Sequence, residues 1–127
     1  MQDRPSADEL LEALAEFLDS EVIPAFEGRK RFHAIVAANV ARITAREFRL
    51  GPAQREAEAS ELRALLGKAS EGGASDAALT ELNAELCRRI ERGDADDGAF
   101  RTEVLAFLRR ATEHKLAIDD PKRLSGR

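Results

Sequence analysis

The sequence predicts an all-α protein, a single-domain antiparallel bundle of about five helices. Three observations predict it. Apolar residues recur at helical spacing in one segment after another, turn signals separate those segments, and no stretch alternates with the period of two that a strand needs. A chain of 127 residues is one domain's worth, long enough to bury one real core.

The first predicted helix covers residues 6–20. Ser6-Ala7-Asp8-Glu9 has capping-box spacing, and Leu10, Leu11, Leu14, Phe17 and Leu18 form an apolar stripe. Val22-Ile23-Pro24 interrupts it, and Gly28 ends the connection. The second helix covers residues 29–50. Gly51-Pro52 reads as a stop followed by a start, because Gly suits a left-handed C-terminal cap and Pro a first helical turn. The third, residues 53–67, is weakly amphipathic, with Leu62, Leu65 and Leu66 directed to a core. Residues 70–75, with paired glycines, form a flexible loop. The fourth helix, residues 76–92, carries Leu79, Leu82, Leu86 and Ile90, with Gly93 after its end. The fifth, residues 99–117, carries Phe100, Val104, Phe107, Leu108 and Ala111. Asp119-Asp120-Pro121 stops it, and a basic tail over residues 120–127 is expected to fray.

Composition excludes several function classes. Net charge is -4, with no Trp or Tyr and only six Phe, so nucleic acid is not an expected partner. No apolar run approaches the ~18 residues of a membrane span, and the start lacks the pattern of a secretory signal. The lone Cys87 rules out an internal disulfide and fits a reducing compartment. It falls at the edge of the fourth helix's apolar face, where a buried, inert thiol is expected. A cytoplasmic location follows.

The second helix is the informative one. Phe32, Val36, Val40, Ile43 and Leu50 share one face, Ala34, Ala37, Ala38, Ala41 and Ala45 the opposite one, and Arg31, Arg42, Arg46 and Arg49 a third side. An alanine seam lets another helix approach closely, either within the bundle or from a second subunit. Ala34, Ala38, Ala41, Arg42 and Ala45 are therefore candidate interface residues. Asn39 stands in the large apolar face, and Asn83 stands between Leu79 and Leu86 on the fourth helix. A carboxamide in such a stripe needs partners or costs about 1–3 kcal/mol. The two Asn either fix helix register or line a pocket. Arg29 and Glu47 lie near the margin of the same face, and Lys115 lies similarly on the fifth helix.

Other chemistry is not expected. Lys30 stands three residues before His33 and Ala111 three before His114, so the Glu-x-x-His of a di-metal bundle is missing and no metal is expected. Gly67-Lys68 lacks both the first glycine of a phosphate loop and its following Ser or Thr. Asp94-Ala95-Asp96-Asp97-Gly98 brings its glycine one position early for a calcium loop, with Leu105 in place of the bidentate Glu. It reads as a turn and helix cap. No cofactor is expected.

Several strings nonetheless stand together: Met1-Gln2-Asp3-Arg4-Pro5 with Glu9-Leu10-Leu11, Phe26-Glu27-Gly28-Arg29 with Phe32-His33, and Val36-Ala37-Ala38-Asn39. Arg46-Glu47 before Leu50-Gly51, Leu82-Asn83-x-x-Leu86-Cys87, and Lys115-Leu116-Ala117-Ile118-Asp119 complete the set. Nearly end to end, the chain resembles a bacterial family of short helical proteins classed as a domain of unknown function. The resemblance implies a setting beside, or fused to, aminoglycoside-phosphotransferase-like kinases, with acyl-CoA dehydrogenases nearby. It implies no activity. The family-like strings coincide with a candidate polar cluster of Arg29, His33, Asn39, Glu47, Asn83, Lys115 and Asp119.

Two functional expectations follow. The first is a non-catalytic accessory subunit for a kinase-like or acyl-CoA-metabolising enzyme. The alternative is a binder of a small anionic ligand, or a minor enzyme, with a polar pocket between the second, fourth and fifth helices, where Arg29, His33 and Lys115 would suit a phosphate or carboxylate. A homodimer is also expected, because a weak third helix and a two-faced second helix leave apolar surface to cover.

Overall fold

A computed structural model describes residues 3–126. The opening Met1-Gln2 of the family-like strings and the Arg127 end of the tail lie outside the described residues. Among those described, the protein is all-α, with five α-helices and no strand.

Helix α1 is Ala7–Phe17. At its start the Ser6 backbone N–H donates to Glu9 Oε2 at 2.8 Å and the Ser6 hydroxyl to Asp8 Oδ1 at 2.6 Å. These bonds hold both carboxyls below their ordinary range. A π-helical turn, Leu18–Val22, and a 3-10 turn, Ile23–Ala25, follow. Pro24 has no N–H to continue an α-helical ladder, so the hydrogen-bond spacing changes around it.

Helix α2 runs unbroken from Gly28 to Leu65. The expected break at Gly51-Pro52 is thus corrected: the second and third predicted helices are one, with Pro52 inside it. Gly51 has no positive φ and does not act as a left-handed cap. Strong helix formers on both sides outweigh one proline. The chain nevertheless divides into two compact units there, Met1–Gly51 and Pro52–Arg127. A proline lacks the N–H that would bond the carbonyl four residues back, so the ladder is weakest at that boundary. Pro52→Ala is expected to stabilise the protein by about 1–2 kcal/mol in urea denaturation, less than the ~3 kcal/mol of an unrelieved interior proline. A destabilised variant would show that the native backbone requires Pro52.

In the first unit, α1 and the N-terminal half of α2 run antiparallel. Asp19 pairs with Arg42, while Asp8 and Glu12 pair with Arg49 at 3.3 and 3.7 Å. Arg31 also donates to the Ile23 carbonyl at 3.1 Å. Falling numbers from the π-helical turn into α1 meet rising numbers on α2, which fixes the direction. The buried hydrophobic residues described in this unit are Ala15, Ala34, Ala38, Ala41 and Ala45, all alanines.

The second unit has a core of larger side chains. Ala59, Leu62 and Leu66 of the α2 end meet Leu79, Leu82 and Leu86 of α3 (Asp76–Glu91) and Val104 and Phe107 of α4 (Gly98–Asp119). Its helix ends follow the turn chemistry. Gly67, at φ +70°, closes α2 with Lys68 N–H on the Arg63 carbonyl at 2.8 Å and its own N–H on Ala64 at 3.2 Å. Gly93 repeats this pattern after α3, and the Ser75 hydroxyl caps the start of α3 by accepting from Ala78 N–H at 3.1 Å. Helix α5, Lys122–Ser125, is one turn within the expected tail. Cys87 is exposed, not buried as its place on the stripe predicts. No helix among the described residues is long and apolar enough to cross a membrane.

Candidate functional site

The first unit fully buries only small residues, with Leu11, Leu18, Ile43 and Leu50 half-buried and several other large ones exposed. Ala34, Ala38, Ala41 and Ala45 are buried, whereas Phe32 is 62% exposed and Val40 56%, with Val36 exposed between them. On α1 the same inversion leaves Leu10, Leu14 and Phe17 exposed. Alanine lets two backbones approach closely, and the Asp19–Arg42 and Asp8–Arg49 pairs hold the helices in that arrangement. Of the stripes expected to form a core, Leu10, Leu14, Phe17, Phe32, Val36 and Val40 are exposed, whereas Leu11, Leu18, Ile43 and Leu50 are half-buried. The candidate interface of Ala34, Ala38, Ala41 and Ala45 is already covered within the chain, and Arg42 is engaged by Asp19.

On each helix the ion-paired groups and the apolar row point in roughly opposite directions. At about 100° per residue, Asp8 and Glu12 lie some 160° around α1 from Leu10 and Leu14 respectively, and Arg49 lies ~180° around α2 from Val40. The ion pairs thus lie beside the seam between the two helices, and each exposed row lies on the outer back of its own helix. The Phe32 ring stands edge-on to His33, with centroids 5.8 Å apart.

The predicted polar cluster is divided between the units. Arg29, His33, Asn39 and Glu47 are in the first, all exposed; Asn83, Lys115 and Asp119 are in the second. Arg29 Nε donates to His33 Nε2 at 3.3 Å. Asn39 stands in an apolar row that is itself exposed, so its carboxamide is not buried. The Asn83 amide donates to Glu58 Oε1 at 3.1 Å, which links α3 to α2, and to the Leu79 carbonyl of its own helix at 2.9 Å. Lys115 and Asp119 are exposed on α4.

The second unit has surface cavities. One of about 520 Å³ is lined by Arg63, Lys68, Glu81, Leu82, Glu85 and Arg88, among others. Its charges largely satisfy one another. Lys68 Nζ is 2.6 Å from Glu85 Oε2 with Arg89 beside it, and these cations hold the Glu85 carboxyl below its ordinary range. Arg63 is nearly buried, at 9% exposure, and donates to the Gly72 and Gly73 carbonyls at 2.9 and 2.6 Å. A smaller cavity of about 290 Å³ has Ala64, Leu65, Ala106 and Phe107 in its wall, with the Arg110–Glu61 pair (2.8 Å) at its margin. Neither is lined by any of the seven polar-cluster residues. Among the described residues, no group of three or more His, Cys, Asp or Glu is placed to hold a metal ion. The calcium-loop look-alike is a turn, with Asp94 on Arg92 at 2.7 Å and Arg101 on the Asp96 carbonyl at 3.0 Å.

Sequence reasoning missed Arg63 as a loop clamp and missed the outward direction of the apolar rows. Periodicity identifies faces, yet carries no signal of which face is buried. Comparison with known proteins finds one family over residues 24–123, described as a domain of unknown function, DUF6285. No curated protein and no solved structure matches the chain.

Proposed function

The chain belongs to the DUF6285 family, and from that premise we propose that it is a non-catalytic interaction protein, an accessory subunit for a kinase-like or acyl-CoA-metabolising enzyme. One observation carries the reading. The first unit buries only alanines among its described hydrophobic residues while Leu10, Leu14, Phe17, Phe32, Val36 and Val40 stay exposed. The large apolar side chains described in this unit are at most half-buried, as Leu11, Leu18, Ile43 and Leu50 are, and another protein surface would cover the exposed ones. The setting implied by the family resemblance supplies the partner class: an aminoglycoside-phosphotransferase-type kinase or an acyl-CoA dehydrogenase.

The anionic-ligand alternative has one feature in its favour, the cavity bearing Arg63, Lys68 and Arg88. It is the weaker reading, because Glu81 and Glu85 line the same cavity and Arg63 and Lys68 are already engaged. The test is co-expression of the tagged chain with each enzyme encoded near it, followed by size-exclusion chromatography. A stoichiometric complex with one of them is expected. Separate elution from both would overturn the accessory role.

A further inference from the structure

The geometry points to an antiparallel, two-fold contact between the outer stripe of α4 and the same stripe of a second copy. The inference is independent of the accessory role, which concerns the first unit.

The stripe lies on a single helix. At about 100° per residue, Leu105, Leu108, Thr112 and Leu116 fall within ~80° of arc, apart from Val104, Phe107 and Ala111, which face the core. Leu105 is 55% exposed and Leu108 44%, while Leu116 is half-buried. The surface between them is hollow. Leu108, Arg109, Thr112, Glu113 and Leu116 surround a cavity of about 300 Å³. Residues 109, 112, 113 and 116 have the i, i+3, i+4, i+7 spacing of a hole that receives one side chain from a facing helix. Thr112 is its small member, and the Thr112 hydroxyl donates to the Leu108 carbonyl at 2.8 Å. The polar atom of the floor is thus turned onto its own helix, and an apolar side chain can enter without orphaning it.

One stripe supplies both the inserting leucine and the hole, as a two-fold contact requires. With Leu108 of each copy level with the other's hole, the axis passes near residue 110. At a rise of about 1.5 Å per residue, Leu105 then stands within ~1 Å of the level of the other copy's Leu116.

Charge selects a second copy as the occupant. A two-fold axis across an antiparallel pair brings like flanks together, so the flank bearing Arg109 and Glu113 meets its own counterpart. Arg109 falls about 2 Å from the level of the other copy's Glu113, which gives two ion pairs across the contact. Arg110 is held by Glu61 on another side of the helix, whereas Arg109 and Glu113 make no ion pair among the described residues. A partner of one charge sign would set a like charge against one of the two.

Two inserted leucines and two ion pairs fall short of the ~1,200 Å² of a standard interface, so the association belongs to the transient class. Sedimentation equilibrium of the purified full-length chain from about 5 to 500 µM should show a monomer–dimer equilibrium with a Kd of about 10–100 µM. A monomer throughout overturns the proposal and leaves the stripe to a different protein. Leu108→Glu removes the inserting side chain and should weaken dimerisation at least ~10-fold with unchanged helical circular dichroism. If that variant fails to fold, Leu105→Glu gives the same reading. A dimer indifferent to these substitutions lies elsewhere on the molecule and overturns the proposal. Arg109→Glu and Glu113→Arg should each weaken dimerisation about 10-fold by opposing like charges, and the two together should restore it to within about three-fold. A double variant as weak as the single ones overturns the antiparallel pairing.

Discussion

Leu62→Ala is expected to destabilise the protein by about 3–5 kcal/mol, the upper part of the range for truncating a buried leucine. Leu62 is 0% exposed and is the largest side chain described as fully buried. It belongs to the cluster in which the α2 end meets Leu79, Leu82 and Leu86 of α3 and Val104 and Phe107 of α4. Three helices border the space its side chain fills, so collapse of one onto the cavity would pull it from the others. The full transfer and cavity terms should therefore appear. Against a total stability of about 5–15 kcal/mol for a typical domain, that loss is large. Urea denaturation followed by helical circular dichroism would show a lower midpoint with an unchanged slope. A loss below about 1 kcal/mol would mean that the cluster repacks and that Leu62 is not central to it.

The same residue shows what the sequence could and could not reveal. Leu62, Leu65 and Leu66 are legible as core residues because they share one side of an otherwise polar helix. Helices α3 and α4 are equally legible, since Ser75 and Gly93 mark the ends of α3 and Leu79, Leu82 and Leu86 keep their spacing. Gly51-Pro52 misleads because a local signal is weighed without its surroundings. A proline costs about 3 kcal/mol in a helix interior, and favourable neighbours and packing on both sides can exceed that. The first unit misleads for a different reason. Periodicity places Val36 and Ala38 on separate faces but does not say which one is buried, and here the alanine face is buried with the Asp19–Arg42 and Asp8–Arg49 pairs beside it. Asn39 reads as a buried carboxamide only while its row is taken for a core. Asn83, whose row is a true core stripe, has the partners that burial demands.

Arg63 is the residue that no pattern announces, and Arg63→Ala should have the second large effect, about 2–4 kcal/mol. Its guanidinium reaches from α2 into the glycine-containing segment of residues 70–75 and donates to two successive carbonyls, those of Gly72 and Gly73. A segment expected to be flexible is thus held at two points by one rigid fork. Hydrogen bonds from a charged donor contribute about 1.5–3 kcal/mol each, and water entering the space left by the side chain should recover part of that. Gly72 itself is fitted to the clamp. It adopts φ +139°, and a Cβ there would stand 3.0 Å from Arg63 Nη2. Lysine cannot replace the fork, because an ammonium on a flexible stem does not present two parallel N–H groups to two carbonyls. Arg63→Lys should therefore recover less than half of the loss. Amide hydrogen exchange separates this clamp from a general packing effect: residues 68–75 should lose protection while the α3 interior keeps it. Equal loss across both would assign Arg63 to the core of the second unit and not to its loop.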